Sequence, residues 1–402
     1  MSTTREGEEE FLDRLEAGRP GVELGLDKSV RLLEKLGLPQ RELRVMHVGG
    51  TNGKGSVCAM MSSVLQAAGY SVGVFSSPHL HHWSEAVTVN GMVDVEAWRR
   101  AVGKVQQQLV QDGEDGKFTA FEAACAAMWV QLAERQVDYA LIEVGVGGRL
   151  DATNVCEEVE VSIITSVGLD HQDLLGETVA AIAEQKSGIM KKACPSVVSS
   201  TLPEDAMSDP MTGSMLEFEL SLHGDFQLSN AGTAIAALKA VAATHSRRGT
   251  PKPLVLSDEH IREGMRRASW PGRLEWTTWR GRSILLDGAH NSEAAAALRS
   301  YIDSISHRYP KVHWVVGMAE SKDVEGFVRI LVRPCDVVEA VSVQSLPRRH
   351  TAASPDRIQK AVTAAGACCH VSATLTAALE RACEDEDSLK VLCGSLHLIA
   401  DF

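Results

Sequence analysis

Short apolar runs alternate with segments of helical periodicity along most of the chain, and this alternation restricts the fold more strongly than any other feature. Residues 45–48 are an apolar run of the kind found in buried strands, and from Ser56 onward apolar side chains recur at the spacing of one helix face. Strands are also predicted at residues 71–75, 139–144 and 159–165, and a helix at residues 123–134. Repetition of strand, helix and strand predicts an α/β fold with a mostly parallel sheet and right-handed crossovers.

The same alternation restarts after Trp270-Pro271-Gly272 and predicts a second α/β domain. Its predicted strands are residues 283–287, 312–316 and 389–393, and its predicted helices are residues 293–305, 324–331, 355–365 and 375–384. A chain of 402 residues also exceeds the usual size of a single hydrophobic core. We therefore predict one domain over residues 1–270 and a smaller one over residues 271–402, with a loop at residues 201–217.

The charge and composition of the chain exclude several classes of partner. A net charge of −13 leaves no basic stripe for a nucleic-acid backbone, so no nucleic-acid partner is expected. No apolar stretch approaches the roughly 18 residues of a membrane-spanning helix, so no membrane partner is expected either. The nine cysteines lack C-x-x-C spacing, and the acidic N-terminus resembles neither a signal peptide nor a typical mitochondrial transit peptide. We expect reduced cysteines and a cytoplasmic location, with mitochondria as the alternative.

A glycine-rich turn lies between the first strand and the first helix of this pattern. Residues 49–56 read GGTNGKGS, and their glycines allow backbone N–H groups to point at a phosphate, while the helix N-terminus adds its dipole. Lys54 adds a positive charge, and the Ser56 hydroxyl can bind Mg²⁺. Gly55 separates this lysine from the serine, so the match to a phosphate-binding loop is imperfect, and a turn without a ligand is the alternative. The nucleotide-binding residues predicted here are Gly50, Thr51, Asn52, Gly53, Lys54, Gly55 and Ser56.

Further motifs follow this turn in one order along the chain. They are Ser76-Ser77-Pro78-His79-Leu80, Phe121-Glu122, residues 143–154 (EVGVGGRLDATN), Gly168-Leu169-Asp170-His171, Lys186-Ser187-Gly188-Ile189, Trp270-Pro271-Gly272-Arg273, residues 287–291 (DGAHN) and Gly394-Ser395-Leu396. Together with GTNGKGS, they resemble the folylpolyglutamate synthase and dihydrofolate synthase family, a branch of the Mur-type amide ligases. Within that family the motifs most resemble those of fungal-type dihydrofolate synthases. The resemblance implies an N-terminal P-loop ATPase domain that also holds the pterin end of the substrate, followed by a Rossmann-like C-terminal ligase domain.

The resemblance also implies an activity. In this family ATP phosphorylates a carboxylate, and an amine then attacks the acyl phosphate to form an amide, with two Mg²⁺ ions assisting. The chain is accordingly expected to join L-glutamate to dihydropteroate as a monomer, and a monovalent cation is a further candidate ligand. Three alternatives stay open: extension of the glutamate tail of reduced folates, ligation of another acid and amine by a divergent relative, and nucleotide binding without ligase activity.

Metal-binding roles follow from the same resemblance. It assigns Mg²⁺ ligation to Ser77, Glu143 and His171, and it implies that Lys186 is carbamylated and supports the second metal or the phosphate. Burial among apolar neighbours favours the neutral amine that reacts with carbon dioxide. From the residues alone, His171 could instead be a hydrogen-bonded loop histidine, and Lys186 a plain surface lysine on a helix.

The remaining roles concern the nucleotide and the acid substrate. The resemblance places Asn230, Arg273, Asp287 and His290 at the nucleotide, although ordinary turn capping is an alternative for Asp287 and Asn291. The residues expected to act in catalysis are Lys54, Lys186, Arg273 and His290. Those expected to contact the pterin end of the acid are Thr119, Phe121, Glu122 and Asp151.

Overall fold

The computed structural model describes residues 7–18, 25–199, 216–248, 252–309, 311–346 and 351–402. The chain divides into two compact units. The first comprises Met1–Ser221 and Gln227–Ser269, and the second comprises Leu222–Phe226 and Trp270–Phe402. The chain therefore passes between the units three times, and each unit has its own sheet and its own hydrophobic core.

The first unit is built around a sheet of seven described strands. These are β1 (Val45–Gly49), β2 (Val72–Phe75), β3 (Val87–Val89), β4 (Met92–Val93), β5 (Tyr139–Glu143), β6 (Val161–Ile164) and β7 (Ser196–Val198). Their order is β4-β3-β2-β5-β1-β6-β7. All neighbours run parallel except the pairs β2–β3 and β3–β4, so the predicted mostly parallel sheet is confirmed.

Helices pack around this sheet and complete the core of the first unit. They are α1 (Gly7–Gly18), α2 (Asp27–Lys35), α3 (Lys54–Ala67), α4 (Val95–Gln111), α5 (Ala120–Glu134), α6 (Gln172–Leu175), α7 (Val179–Ser187), α8 (Phe226–Arg248) and α9 (Asp258–Arg267). The helix α5 is apolar on almost every side and buried along most of its length, as expected of a helix in the middle of a core. Its N-terminus is fixed by a capping box between Thr119 and Glu122.

The central strands decide where functional groups can lie. Both β1 and β5 are buried along their whole length, which is typical of parallel strands covered on both faces. In the parallel part of the sheet, β2, β5, β1 and β6 are consecutive neighbours, so their carboxyl ends lie at one edge. Ligands of such sheets bind outside the carboxyl ends of the strands.

The second unit contains a sheet of six described strands, which are β8 (Glu275–Trp279), β9 (Arg282–Asp287), β10 (Val312–Val316), β11 (Val337–Ala340), β12 (Cys368–Val371) and β13 (Leu389–Cys393). Their order is β12-β11-β10-β13-β9-β8, and only β8 runs antiparallel to its neighbour. The helices of this unit are α10 (Ser292–Ile305), α11 (Val324–Leu331), α12 (Pro355–Ala364), α13 (Leu375–Glu384) and α14 (Leu396–Ala400). The predicted second α/β domain is therefore confirmed as a fold.

The remaining sequence predictions concern a loop, the cysteines and the absence of membrane-spanning helices. The predicted loop at residues 201–217 lies mostly outside the described residues, and its last two residues, Leu216 and Glu217, have no regular secondary structure. All nine cysteines are free. Among the described helices, none combines the length and the apolar character that a bilayer crossing requires.

Candidate active site

Residues from four neighbouring strands form the candidate site of the first unit. The glycine-rich turn follows β1, Ser77 follows β2, Glu143 ends β5, and His171 lies in the segment after β6. Because these strands are adjacent and parallel, the four segments meet at one edge of the sheet. The sequence-predicted phosphate and metal residues are therefore brought to one place by the topology.

The glycine-rich turn is held by side chains that follow β6. The Asn52 amide donates to Ser166 Oγ at 2.9 Å, and Thr165 Oγ1 donates to the Asn52 carbonyl at 2.6 Å. Gly50 has a φ of +148°, and a Cβ at this position would collide with the Thr165 hydroxyl. Only glycine fits there, because the turn must pass close to β6 in a conformation that other residues avoid. The backbone cradle is thus held in place by the protein itself.

Lys54 and Glu143 form the charged centre of this edge. Lys54 Nζ lies 3.9 Å from Glu143 Oε1 and donates to the Thr51 carbonyl at 3.2 Å. Glu143 is only 4% exposed, and a carboxylate buried this deeply needs positive charge close by. The hydroxyl, carboxylate and imidazole donors of Ser77, Glu143 and His171 are compatible with a divalent cation, and oxygen donors are those that Mg²⁺ prefers. The donor set therefore fits the metal that the resemblance implies.

Lys186 is buried beside the glycine-rich turn. It lies in the last turn of α7, is 5% exposed, and its Nζ donates to the Gly50 carbonyl at 2.8 Å. The alternative of a plain surface lysine is therefore wrong. A lysine is rarely buried unless its amine has a specific partner or function.

His171 is more exposed than the other candidate ligands. It adopts a left-handed φ of +50° immediately before α6, its side chain is 41% exposed, and its backbone N–H donates to Asp170 Oδ1. A positive φ is uncommon in residues other than glycine and costs conformational energy. His171 thus lies in the segment after β6, beyond the edge of the sheet where a metal ligand is expected.

The loop after β5 folds around the Asp151 carboxylate. Asp151 is 3% exposed, and its oxygens accept hydrogen bonds from Val146 N at 2.8 Å and from Thr153 N at 3.0 Å. Burial raises the pKa of this carboxyl, and its hydrogen bonds from the loop oppose that shift. Asp151 was predicted to contact the pterin, and the structure shows that both its oxygens serve the loop itself.

Phe121 and the capping box of α5 lie against the same loop. A Cβ at Gly145 would collide with the Phe121 ring, so the ring and the loop are in close contact. Glu122 accepts from the Thr119 amide at 2.8 Å and from Lys28 Nζ at 3.2 Å. The four predicted acid-substrate residues therefore form one cluster, in which Thr119 and Glu122 also cap the helix.

The loop is tied to the end of α7 as well. Asn154 Nδ2 donates to the carbonyls of Arg149 and Gly188 at 3.0 and 3.1 Å, and the Arg149 amide donates to the Gln185 carbonyl at 2.8 Å. The segment that carries Lys186 and the loop that carries Asp151 are thereby fixed to each other.

Asn230 contacts the glycine-rich turn from α8. Its side chain fills the space that a Cβ on Gly53 would need, and its Nδ2 donates to Gln227 Oε1 at 2.8 Å. Gln227 is fully buried and its Nε2 lies 3.3 Å from Ser56 Oγ. The predicted nucleotide residue Asn230 is therefore beside the predicted phosphate loop, and Gln227 links it to Ser56.

The second unit has its own cluster of predicted residues, at the turn after β9. Asp287 is 6% exposed and accepts from the amides of Leu274 at 3.0 Å and Ala289 at 2.9 Å. Burial raises the pKa of Asp287, and the charge of Arg273 opposes this. A Cβ at Gly288 would collide with the Arg273 guanidinium, and the ring of His290 bonds through Nδ1 to the Gly288 carbonyl at 2.9 Å. Arg273, Asp287 and His290 therefore form one group.

Both polar residues of this turn accept hydrogen bonds from backbone amides close to them in the chain. Asn291 is the N-cap of α10, and its Oδ1 accepts from Ala294 N at 2.9 Å. Asp287 instead organises the turn before the helix through two backbone amides. The capping interpretation is thus confirmed for Asn291, and Asp287 also caps its turn, because it accepts from the Ala289 amide two residues on.

Several site residues were not predicted from the sequence. They are His47, Thr153, Thr165, Ser166 and Gln227. Thr165 is the last residue of a predicted strand, and Ser166 directly follows it. Gln227 lies three residues before Asn230, so weak positional signals existed. Hydroxyl and amide side chains are common in loops, however, and nothing in the sequence marks these as contacts of the glycine-rich turn.

Known proteins resemble this chain over most of its length. A model described as the Mur ligase middle domain matches residues 48–207, and one described as the dihydrofolate synthetase C-terminal domain matches residues 273–402. A probable dihydrofolate synthetase of Schizosaccharomyces pombe is 32% identical in an alignment that covers 94% of this chain and 97% of that protein.

Two solved structures are similar along nearly their whole length. Escherichia coli FolC in complex with DHPP and ADP has a TM-score of 0.85 at 26% identity, covering 99% of this chain and 97% of that one. A bifunctional folylpolyglutamate synthase/dihydrofolate synthase from Yersinia pestis, complexed with AMPPNP and Mn ion, has a TM-score of 0.79 at 27% identity, covering 100% and 98%.

The first unit contains a mostly parallel sheet with a phosphate loop, and its sequence matches the Mur ligase middle domain. These features place the chain among the Mur-type ligases. The similarity to the S. pombe protein over almost the full length of both chains then identifies the family within this class. This chain belongs to the dihydrofolate synthase and folylpolyglutamate synthase family.

Proposed function

We propose that this chain joins L-glutamate to dihydropteroate at the expense of ATP and so produces dihydrofolate. The observation that carries the proposal is the meeting of the glycine-rich turn, Glu143 and Lys186 at one edge of the sheet, next to the cluster around Phe121. The full-length similarity to a probable dihydrofolate synthetase supports the choice of acid. The E. coli relative, solved with DHPP and ADP, supports a pterin-bearing acid and an adenine nucleotide.

The residues of the glycine-rich turn bind and orient the phosphates. Backbone amides of residues 50–56 and the dipole of α3 attract the phosphate groups, and Lys54 adds a positive charge at their edge. Asn230 and Gln227 fix the turn from the side of α8. The reaction requires the acid and the transferred phosphoryl group to be held in line, which a rigid turn achieves at low entropic cost.

We propose Ser77, Glu143 and His171 as the residues that hold a divalent cation, with Lys186 near a second one. The cation, when bound, neutralises the charge that builds up on the transferred phosphoryl group. The Y. pestis relative with AMPPNP and Mn ion supports a metal and nucleotide together. Carbamylation of Lys186 is part of this proposal, because its buried position favours a neutral amine.

Thr119, Phe121, Glu122 and Asp151 are proposed to form the wall for the pterin end of the acid. The ring of Phe121 offers a flat apolar face, and it lies 6.0 Å from the ring of Phe75, centroid to centroid. Glu122 supplies a carboxylate that can accept from ring N–H groups of a heterocycle. Arg273, Asp287 and His290 are proposed to act on the nucleotide, and the protein is proposed to act as a monomer in the cytoplasm.

Extension of the glutamate tail of reduced folates is the second candidate function. The bifunctional name of the Y. pestis relative favours it, because that protein is described with both activities. The chemistry is the same in both cases, so only the acid that is accepted separates them.

Turnover with defined acids tests the proposal. The purified protein is incubated with MgATP, L-glutamate and either dihydropteroate or tetrahydrofolate, and ADP release and product mass are followed. We expect glutamate-dependent ADP release with dihydropteroate, and loss of that activity in Lys54→Ala but not in the exposed Lys104→Ala. Turnover with tetrahydrofolate alone would reverse the order of the two candidates. ATP binding without turnover of either acid would overturn both.

A further inference from the structure

A buried chain of three polar side chains connects the strand β1 to the loop after β5. His47 Nε2 lies 2.9 Å from Thr153 Oγ1, and Thr153 Oγ1 lies 2.5 Å from Asp151 Oδ1. None of the three side chains is more than 3% exposed. Buried hydrogen bonds of this kind fix geometry, because breaking one leaves an unsatisfied partner away from water.

The direction of each hydrogen bond in this chain is determined by its members. The Thr153 hydroxyl has one hydrogen, which it donates to the Asp151 carboxylate, and it therefore accepts the hydrogen of His47 Nε2. Burial, with a smaller contribution from Lys191, lowers the pKa of His47 to about 3. The imidazole is thus neutral, with its hydrogen on Nε2, throughout the physiological range of pH.

The end of the chain organises the backbone of the loop. Asp151 accepts from the amides of Val146 and Thr153, so residues 145–153 are wrapped around one carboxylate. Gly145, at the start of this loop, lies directly against the Phe121 ring. Any change in the orientation of the carboxylate therefore moves the backbone that borders Phe121.

The arrangement separates two tasks of the strand β1. Its last residues lead into the glycine-rich turn, whereas the His47 side chain points to Thr153 and the loop after β5. The glycine-rich turn is held by Thr165, Ser166 and Lys186. The segment of Lys186 is tied to the loop through hydrogen bonds of Arg149 and Asn154, which do not involve the Thr153 hydroxyl. Removing the Thr153 hydroxyl should consequently affect the loop and leave the phosphate cradle intact.

We propose that His47 and Thr153 are positioning residues for the acid substrate, which hold residues 145–153 against Phe121 before the acid binds. This inference rests on the proposed function, because it assumes that the acid lies beside Phe121. In this proposal, Asp151 holds the loop that borders the acid site by accepting hydrogen bonds from the backbone of that loop.

The test compares two substitutions at one position. Thr153→Val keeps the shape of the side chain and removes the hydroxyl, whereas Thr153→Ser keeps the hydroxyl. We expect Thr153→Val to raise KM for dihydropteroate about tenfold or more, the usual effect of losing a buried hydrogen bond to a charged group. Thr153→Ser should restore most of the loss, and the Kd for MgATP should stay unchanged in both variants. His47→Leu should resemble Thr153→Val.

Hydrogen exchange of the substrate-free protein provides a readout that does not depend on turnover. The amides of Val146 and Thr153 should exchange about tenfold faster in Thr153→Val and return to the wild-type rate in Thr153→Ser. Thr233→Val is the matched control, because it removes a buried hydroxyl whose hydrogen bond, among the described residues, goes to the Ser229 carbonyl within α8. It should change neither the exchange of the loop nor KM.

The possible outcomes distinguish this inference from the proposed function. If the wild-type protein turns over neither acid, the proposed function fails, and the exchange of Val146 and Thr153 still decides whether the chain holds the loop. If Thr153→Val leaves KM and loop exchange unchanged, or weakens MgATP binding as much as it raises KM, the positioning role is wrong.

Discussion

Gly53 shows how closely the phosphate loop depends on a single residue. It has a φ of +87° at the start of α3, and Asn230 occupies the space where a Cβ would lie. Asn230 cannot move away freely, because Gln227 holds its amide at 2.8 Å. The turn therefore combines a conformation that favours glycine with a neighbour that tolerates nothing larger.

Gly53→Ala is expected to weaken MgATP binding at least tenfold, because both the backbone and Asn230 must shift. Gly69→Ala is the matched control, since Gly69 has a nearly equal φ of +84° after α3 with nothing near its Cβ position. Calorimetric titration with MgATP measures the affinity, and thermal unfolding measures the stability. Equal losses of affinity in the two variants would contradict the role of Asn230.

Lys186 carries the prediction about carbamylation. Lys186→Ala should abolish ligation, and short carboxylates such as acetate or formate should restore part of the activity if the native group is a carbamate. The exposed Lys192→Ala is the control and should keep full activity without rescue. Activity that is lost and is not restored by any short carboxylate would favour a role for the amine itself, which donates to the Gly50 carbonyl.

Among individual residues, those that belong to a recognisable sequence motif could be predicted from the sequence. Lys54, Glu143 and Lys186 lie where a glycine-rich turn, a buried strand and a helix end indicate them. The supporting residues Thr165, Ser166 and Gln227 could not be predicted, because their contacts join segments more than 100 residues apart. Asp151 was predicted to face the substrate, and only the structure reveals how much of its carboxylate the loop occupies.

At the scale of elements, a cluster of polar side chains joins the sheet of the first unit to α8. The cluster lies at the amino ends of β1, β5 and β6, at the edge opposite to the glycine-rich turn. Arg44, just before β1, donates to Glu160 Oε1 at 2.8 Å and lies over the Tyr139 ring. His245 Nε2 lies 2.6 Å from Glu160 Oε2, while the Leu254 amide donates to His245 Nδ1. Because Nδ1 accepts, the hydrogen of the imidazole is on Nε2 and is donated to Glu160.

Glu160→Gln is expected to lower the free energy of unfolding by about 2 kcal/mol near neutral pH, since a partly buried, charge-assisted hydrogen-bond network is broken. Glu157→Gln is the matched control, because Glu157 pairs with Arg41 on the open surface and should have little effect. Urea unfolding of both variants measures the difference. A similar, small effect of the two substitutions would show that the cluster does not stabilise the sheet.

The stability difference between wild type and Glu160→Gln is expected to depend on pH. Burial raises the pKa of Glu160, but the hydrogen bonds from Arg44 and His245 outweigh burial and lower it below the ordinary value of 4.5. A carboxylate with a lowered folded-state pKa stabilises the fold above its unfolded pKa and loses that contribution as the pH falls through the folded value. The difference between wild type and Glu160→Gln should therefore shrink progressively below about pH 4.5.

Sequence periodicity predicted the elements whose pattern is simple and missed those in which packing dominates. The strand β10 and the helices α11 and α13 match their predicted ranges, because β10 is a short, mostly apolar run and each helix has an apolar face. The strand β11 was missed because it contains Glu339, a fully buried carboxylate that bonds to the Ser372 hydroxyl at 2.6 Å. The helix α8 was missed because small and polar residues are buried along it, including Gly232 and Thr233.

At the scale of the whole molecule, two separate cores explain why a change in one unit is expected to act locally. The core of the first unit includes Trp98 and Trp129, and that of the second includes Trp314 and Phe327. The sequence indicated two domains because the strand–helix pattern restarts after Trp270. It could not indicate that Leu222–Phe226 groups with the second unit, since five residues carry no periodicity.

The late position of α9 in the chain has a consequence for the order of synthesis. This helix packs so closely on α3 that a Cβ at Gly264 would collide with the Val64 backbone, although the two residues are separated by 200 positions. Since a ribosome releases the chain from its N-terminus, the phosphate loop and its helix emerge long before their packing partner. The nascent first unit must keep the apolar surface of α3 uncovered until α9 has left the exit tunnel. The helix that begins at the phosphate loop is therefore packed only after more than about two thirds of the protein has been made.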